Sequence, residues 1–429
     1  MRTGSQPLNE PAVGTVSTTT RYTRWIQLGL GLICMMSISS PQYVWTMMTQ
    51  PLAAKLGVAL PELQVTFSLV LILQNFSSPV QGRLIDRFGP RLMISIGTLT
   101  VGLSWVLASL AQSVMMLYLT YGVLGGIGMG SVYVGVVGLM MRWFPDRRAF
   151  AAGVAAAGYG MGAIVTTFPI AWSLETRGID ATLWIFGILF GVVGVTAALG
   201  LRLPPPELEA APPRAVEHST GRHLSPSQVR KTPIFWLLFL MMAMMSTSGL
   251  MVTSQLATFA ADFGVTKVLV FGMAAVPLAL TIDRFANGLT RPLFGWISDQ
   301  IGRENTMCLA FAFEGVAMTL WLLTRDNAVL FVLLSGVVFL GWGEIYSLFP
   351  STLTDTFGTD HAIENYGWLY LSTTAGAIFG GPVAALVHQR TGSWMPVFGT
   401  AITLDLSTAL LALWVLKPMR KRFLTGQPR

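Results

Sequence analysis

Twelve apolar runs, most of them about 20 residues or longer, constrain this chain more than any other feature, because each is long enough to cross the ~30 Å hydrocarbon core of a bilayer. They fall near 25–48, 62–81, 92–111, 114–141, 149–172 and 181–201, and again near 234–260, 268–293, 305–324, 327–350, 363–387 and 394–416. A chain that is 53% hydrophobic and 11% charged is no ordinary soluble protein. Between the two sets, 202–232 begins LPPPELEAAPPR and reads as a flexible linker. The expected fold class is therefore an all-α membrane protein of twelve transmembrane helices in two six-helix repeats. Its parts are an N-terminal tail (1–24), a first bundle (25–201), the linker (202–232), a second bundle (233–416) and a C-terminal tail (417–429).

Charge sets the orientation, since short cytoplasmic loops retain Lys and Arg. Of the 27 basic residues, twenty fall on the side that holds both termini and the linker, and five (Lys55, Arg177, Lys267, Arg325 and Arg390) on the other. Both termini are thus expected to be cytoplasmic, in a multi-pass protein of the plasma (inner) membrane. The high pI of about 9.6 records that topology and is no argument for nucleic-acid binding. The first 24 residues lead into a full-length span without a small-residue cleavage site, so no removable signal peptide is expected.

The usual signatures of an enzyme or an ATP-driven pump are missing from the sequence. Cys34 and Cys308 both lie in expected spans, and the four histidines are scattered, with no metal-ligand or triad-like spacing. No cofactor and no metal are expected. GGIGMG at 125–130 lies in an apolar run, where small residues permit close helix packing far more often than they bind a nucleotide.

An internal repeat carries the argument towards function. SPVQGRLIDRFG (78–89) matches RPLFGWISDQIG (291–302) at Pro79/Pro292, Gly82/Gly295, Asp86/Asp299 and Gly89/Gly302, all at an offset of 213 residues. The same offset pairs Tyr133 with Tyr346 and Gln42 with Gln255. Two parallel repeats of six helices, with a substrate site near midplane between them, are how many secondary transporters are built. The repeated loops, with Gly82, Asp86 and Arg87 in one and Gly295, Asp299 and Arg303 in the other, pair Asp with Arg at a helix end and are expected to latch one conformation. The GRLIDRFGPR pattern resembles the loop signature of the major facilitator superfamily.

The repeat also acts as a control for two unusual charges. Arg291 corresponds to Ser78 and Arg284 to Leu71, so the scaffold folds the equivalent helix without either arginine. An Arg at a helix centre costs about 2.5–3.5 kcal/mol and usually faces a cavity or a partner. The two are seven residues apart, hence on nearly the same helical face and roughly 10 Å apart along the axis. A small anion would engage them, because a guanidinium fork matches a carboxylate bidentately. The competing reading is neutralisation by Asp283, Glu314, Glu344 or Asp405, or snorkelling of Arg291 to the membrane edge.

Six motifs, SPQYVWT (40–46), RWFPDRR (142–148), AAGYGMG (156–162), NGLTRP (287–292), GWGEIYSLFPS (341–351) and NYGW (365–368), together resemble the oxalate/formate antiporter family of that superfamily. The resemblance implies a central cavity walled by aromatic residues and closed over a small carboxylate. Carried over by motif, Gln42, Tyr43, Tyr133, Tyr159, Arg291, Trp342 and Tyr346 would line it, with hydroxyls and the indole N–H donating to carboxylate oxygens. One departure stands out. The family's oxalate-binding member pairs its helix 8 arginine with a helix 11 lysine, and Thr373 occupies that position here. The second charge then falls to Arg284, or the substrate shifts towards a monocarboxylate.

Mechanism follows from charge. An empty site with uncompensated positive charge reorients unfavourably, whereas an anion-loaded one is neutralised, so exchange is the expected behaviour of this carrier of small carboxylates. The alternative is proton-coupled monocarboxylate symport. The related monocarboxylate transporters place an Asp four residues before the helix 8 arginine; that position is Asn287 here, so Asp283 or Glu344 would have to take the proton. A reading of another class is a membrane sensor that binds ligand without transport, although the short tails and linker leave no room for a signalling domain. The expected partners are small carboxylate anions and the lipid bilayer, with no nucleic acid, and the superfamily resemblance implies a monomer.

Overall fold

The structure is a computed structural model, and it describes residues 18–209, 223–265 and 268–425. Arg2, Arg214, Arg222, Lys267, Arg429 and His218, together with much of the linker, lie outside the described residues. The described residues are almost wholly helical, as lipid requires of a backbone that must satisfy its own hydrogen bonds.

Twelve crossings follow one another. The first is broken into Thr18–Ser37, Ser40–Tyr43 and Trp45–Leu56, and the second bends by 50° between Leu60–Phe76 and Ser78–Phe88. Pro90–Ser109 and Val114–Trp143 form the third and fourth. The fifth and sixth are one run of 52 residues, Arg148–Leu199, broken at Gly178, whose backbone (φ 78°, ψ 178°) no helix contains. The seventh is Pro233–Thr253, the eighth Ala275–Ile301 and the ninth Arg303–Leu323. Ala328–Phe357, Ala362–Thr391 and Met395–Thr425 complete the set.

The eighth crossing departs from the sequence expectation. The apolar stretch from 268 opens with a two-residue β-hairpin (Leu269–Val270 against Met273–Ala274), and the helix starts only at Ala275. It then runs to Ile301, beyond the apolar run, so Arg291 lies well inside the helix.

Glycines set how closely the crossings approach. A Cβ on Gly102 would lie 2.6 Å from the Gly187 carbonyl oxygen, and one on Gly128 would lie 2.9 Å from that of Gly97. Both are closer than real Cβ contacts come, so in GGIGMG the small residues do the packing. Gly89 and Gly302, one repeat offset apart, adopt nearly the same left-handed backbone (φ 89° and 92°) and turn the second and eighth crossings into the third and ninth. Large apolar side chains such as Phe168, Trp414 and Leu119 are exposed along the outer faces, as a lipid-facing surface requires.

The first six and last six crossings meet along two symmetric seams. The second packs on the eleventh, where Gly82 abuts Glu364 and Gly367 abuts Ser78; the fifth packs on the eighth, where Gly153 abuts Arg291 and Gly295 abuts Ala149. The end of the bundle that carries both described chain ends is sealed across these seams. Asp355 accepts from Arg148 at 2.6 Å and from Arg303 at 2.8 Å, while Asp299 accepts from the backbone N–H of Phe150 at 2.9 Å. At the opposite end, the ion pairs among the described residues stay within one set of six, as in Lys55–Asp180 and His388–Asp262.

Candidate functional site

Arg291 sits at the centre of the molecule, 3% exposed. Its Nη1 donates to the Ala156 carbonyl at 2.5 Å and its Nη2 to Asn287 Oδ1 at 2.9 Å, and Nε is buried with no partner. Its Cζ lies 4.8 Å from the Tyr346 ring centroid, a cation–π arrangement. None of Asp283, Glu314, Glu344 and Asp405 forms an ion pair with it among the described residues. Burial at the centre excludes snorkelling, while Glu344 acts on Arg291 electrostatically without a direct ion pair. Asn287 holds the guanidinium, which makes the residue that replaces an acid a positioning group.

A cavity of about 110 Å³ opens beside the guanidinium. Ordinary drug-sized ligand pockets run to ~300–1,000 Å³, so only a very small solute fits. Gln42, Tyr43, Tyr133, Tyr159, Trp342, Tyr346 and Thr373 line it together with Arg291. The aromatic rings form one connected wall: Tyr133 lies 5.5 Å from Tyr159, 6.1 Å from Tyr346 and 5.0 Å from Tyr370 between centroids. Tyr43 packs on Tyr159 at 5.5 Å, and Tyr159 donates its hydroxyl proton to Gln42 Oε1 at 2.6 Å. The Tyr133 hydroxyl is buried, and it pairs loosely with the buried Tyr366 hydroxyl. A buried guanidinium with spare donors beside a loosely paired hydroxyl is an anion-binding constellation.

Several residues stand differently from the sequence expectation. The Trp342 indole N–H donates to the Met245 carbonyl at 3.1 Å, so the ring walls the cavity without offering that donor. Thr373 reaches the cavity, but its hydroxyl donates back to the Tyr370 carbonyl at 2.8 Å, as a serine or threonine inside a helix often does. Gln255, the repeat counterpart of Gln42, donates to the Gly381 carbonyl and does not line the cavity.

Arg284 lies outside the Arg291 cavity. It lines a neighbouring one of about 220 Å³ with Asp283 and Asn287, and the two cavities share Tyr43 and Trp342 as walls. Its side chain forms no ion pair among the described residues. One α-helical stretch of seven residues, roughly 10 Å, separates it from Arg291 in the direction away from the sealed end.

The sequence reading missed Gln74 and Asn75 on the second crossing, Ser246 on the seventh and Tyr370 on the eleventh, all of which line the Arg291 cavity. Gln74 and Asn75 are adjacent polar residues in the run 62–81, a signal that was available. Ser246 and Tyr370 carry no such mark, since Ser and Tyr are ordinary in helices packed on helices.

The two repeat loops behave unequally. Asp299 pairs with Arg303 at 2.6 Å, but Asp86 does not bond Arg87, whose guanidinium lies over the Phe88 ring. Asp86 instead accepts from the Glu364 backbone N–H at 2.9 Å, across the seam. The acidic loop between the tenth and eleventh crossings is thus complementary to its neighbours: Asp355 serves Arg148 and Arg303, Glu364 pairs with Arg83, and Asp360 contacts His223.

A twelve-crossing bundle with a polar cavity between two sets of six, sealed at one end, is the architecture of a carrier that works by alternating access. The sequence profile of the Major Facilitator Superfamily matches residues 28–282 and 275–428, and the chain belongs to that family. It is a secondary transporter and an integral membrane protein, not an enzyme. It is 32% identical to the oxalate:formate antiporter of Oxalobacter formigenes, over 94% of each chain. It is also 24% identical to monocarboxylate transporter 11 of Homo sapiens, over 84% of this chain and 78% of that one. Among solved structures, the major facilitator transporter FucP in its outward conformation superposes with a TM-score of 0.70 at 13% identity, covering 93% of this chain and 99% of FucP. That last likeness concerns the fold alone.

Proposed function

We propose that this protein exchanges small carboxylates of the oxalate and formate type across the plasma (inner) membrane, with both termini and the linker cytoplasmic and two six-helix bundles rocking about the Arg291 cavity. The observation that carries the reading is a buried Arg291 that forms no direct ion pair among the described residues, beside a cavity of about 110 Å³ that fits only a small solute. Its charge favours occupancy, and an occupied site is neutral enough to reorient. The 32% identity to an oxalate:formate antiporter supports the substrate class. The excess of basic residues at the sealed end supports the orientation.

A second reading, proton-coupled monocarboxylate uptake, rests on Glu344. It is fully buried, forms no direct ion pair among the described residues, and receives a long hydrogen bond of 3.5 Å from Thr290, the residue next to Arg291.

Proteoliposomes decide between them. Radiolabelled oxalate should enter vesicles preloaded with oxalate or formate and not empty ones, and Arg291→Gln should abolish entry. Uptake of lactate driven by a pH gradient into unloaded vesicles, with no oxalate exchange, would overturn antiport in favour of symport. If Arg284 acts only along the approach path, Arg284→Gln raises KM for exchange and leaves the maximal rate intact.

A further inference from the structure

The four histidines are scattered along the chain, yet the fold brings one of them together with two carboxylates at the sealed end. Asp86 ends the second crossing, His361 immediately precedes the helix Ala362–Tyr370, and Glu364 lies in its first turn. One ligand atom from each lies within 4.8 Å of the others. Asp86 belongs to the first six crossings and the other two residues to the last six.

We propose that Asp86, His361 and Glu364 form a binding site for a divalent transition-metal ion such as Zn²⁺ that ties the two sets of six together at this end. The donor set is an imidazole nitrogen with two carboxylate oxygens, a combination zinc accepts with ion–ligand distances of ~2 Å and a water in the fourth position. Two further observations support it. Asp86 gives one oxygen to the Glu364 backbone N–H, and its other oxygen is buried with no partner. The His361 ring makes no hydrogen bond among the described residues, and it sits at the helix N-cap without capping it.

The charged surroundings set the affinity. Arg83 donates to Glu364 Oε1 at 3.1 Å and is largely exposed, so it competes with an ion for that oxygen and is free to swing into solvent. Arg142 acts electrostatically on Asp86 from the fourth crossing. Both cations weaken the site, which places it in a range where binding is reversible. Because the ligands come from both sides of a seam that must part during transport, a bound ion holds this end shut and slows exchange.

The test is Zn²⁺ titration of the purified full-length, untagged protein by calorimetry, with no substrate present, so that its outcome does not depend on what is carried. The expected result is one site per chain, weakened at least tenfold by His361→Gln, unchanged by His388→Gln, and tightened by Arg83→Gln. His361→Gln removes no hydrogen bond, so folding is retained. Zn²⁺ binding that is absent in the wild type, or equal in wild type and His361→Gln, overturns the proposal. As a second readout, Zn²⁺ should slow substrate exchange in the wild type and not in His361→Gln; slowing that persists in the variant overturns the bridging role.

Discussion

Tyr133 and Tyr346, 213 positions apart and equivalent under the internal repeat, meet edge to face in the wall of the Arg291 cavity with ring centroids 6.1 Å apart. The pair places one repeat-related ring from each set of six beside a single guanidinium that has no repeat counterpart. This pair of rings is symmetric and the charge is not. In the exchange proposed above, an anion held by Arg291 would be bound mainly from the last six crossings, with the first six contributing hydroxyls and rings around it.

Tyr133→Phe isolates that contribution. In the folded protein the hydroxyl pairs only loosely with the Tyr366 hydroxyl, so its loss should lower the thermal unfolding midpoint very little. A hydrogen bond to a charged group is worth about 1.5–3 kcal/mol, so KM for the carried anion should rise about ten- to hundredfold. An unchanged KM would show that this hydroxyl does not touch substrate.

Thr373→Lys restores a second positive charge to the cavity wall. The threonine hydroxyl serves only its own helix, so the substitution breaks one weak intrahelical bond. A dianion gains more than a monoanion from two cations. The variant should therefore lower KM for oxalate relative to formate, measured by competition in preloaded proteoliposomes. Equal changes for both anions would mean that residue 373 does not read substrate charge.

Gly153→Ala tests the seam at the sealed end. An added Cβ collides with the backbone at Arg291 and Pro292, which cannot give way as a flexible side chain would. The conformation closed at this end should be destabilised, and a cysteine introduced at Ser298 should become reactive to water-soluble thiol reagents. Gly160→Ala on the same crossing meets nothing within 4 Å and should leave reactivity unchanged.

Much of the architecture was legible because membrane burial acts on whole segments. An apolar run of sufficient length has few options in lipid, and repeated glycines at fixed offset mark repeated turns. Arg291 was legible for the opposite reason, as a charge that the matching helix of the first repeat lacks. The boundaries of the eighth crossing were not, because the hairpin at Leu269–Ala274 is as apolar as the helix it precedes. Nor was the separation of Arg284 from Arg291, since helical phase fixes the face of a residue and not which neighbouring ring divides two cavities on that face. The donor of Trp342 was lost to Met245 on another helix, a contact that no local pattern encodes.

Asp355 bonds one arginine from each side of the seam, Arg148 and Arg303, while Arg303 is also bonded to Asp299. In the rocking motion proposed above, the carboxylate would stay with Arg303 on its own side and Arg148 would lose it on the other. The newly formed mouth would then be electrically lopsided, with one guanidinium released on one lip. Opening itself would thus create a lure for anions on the face that was shut, an entrance baited only while it is open.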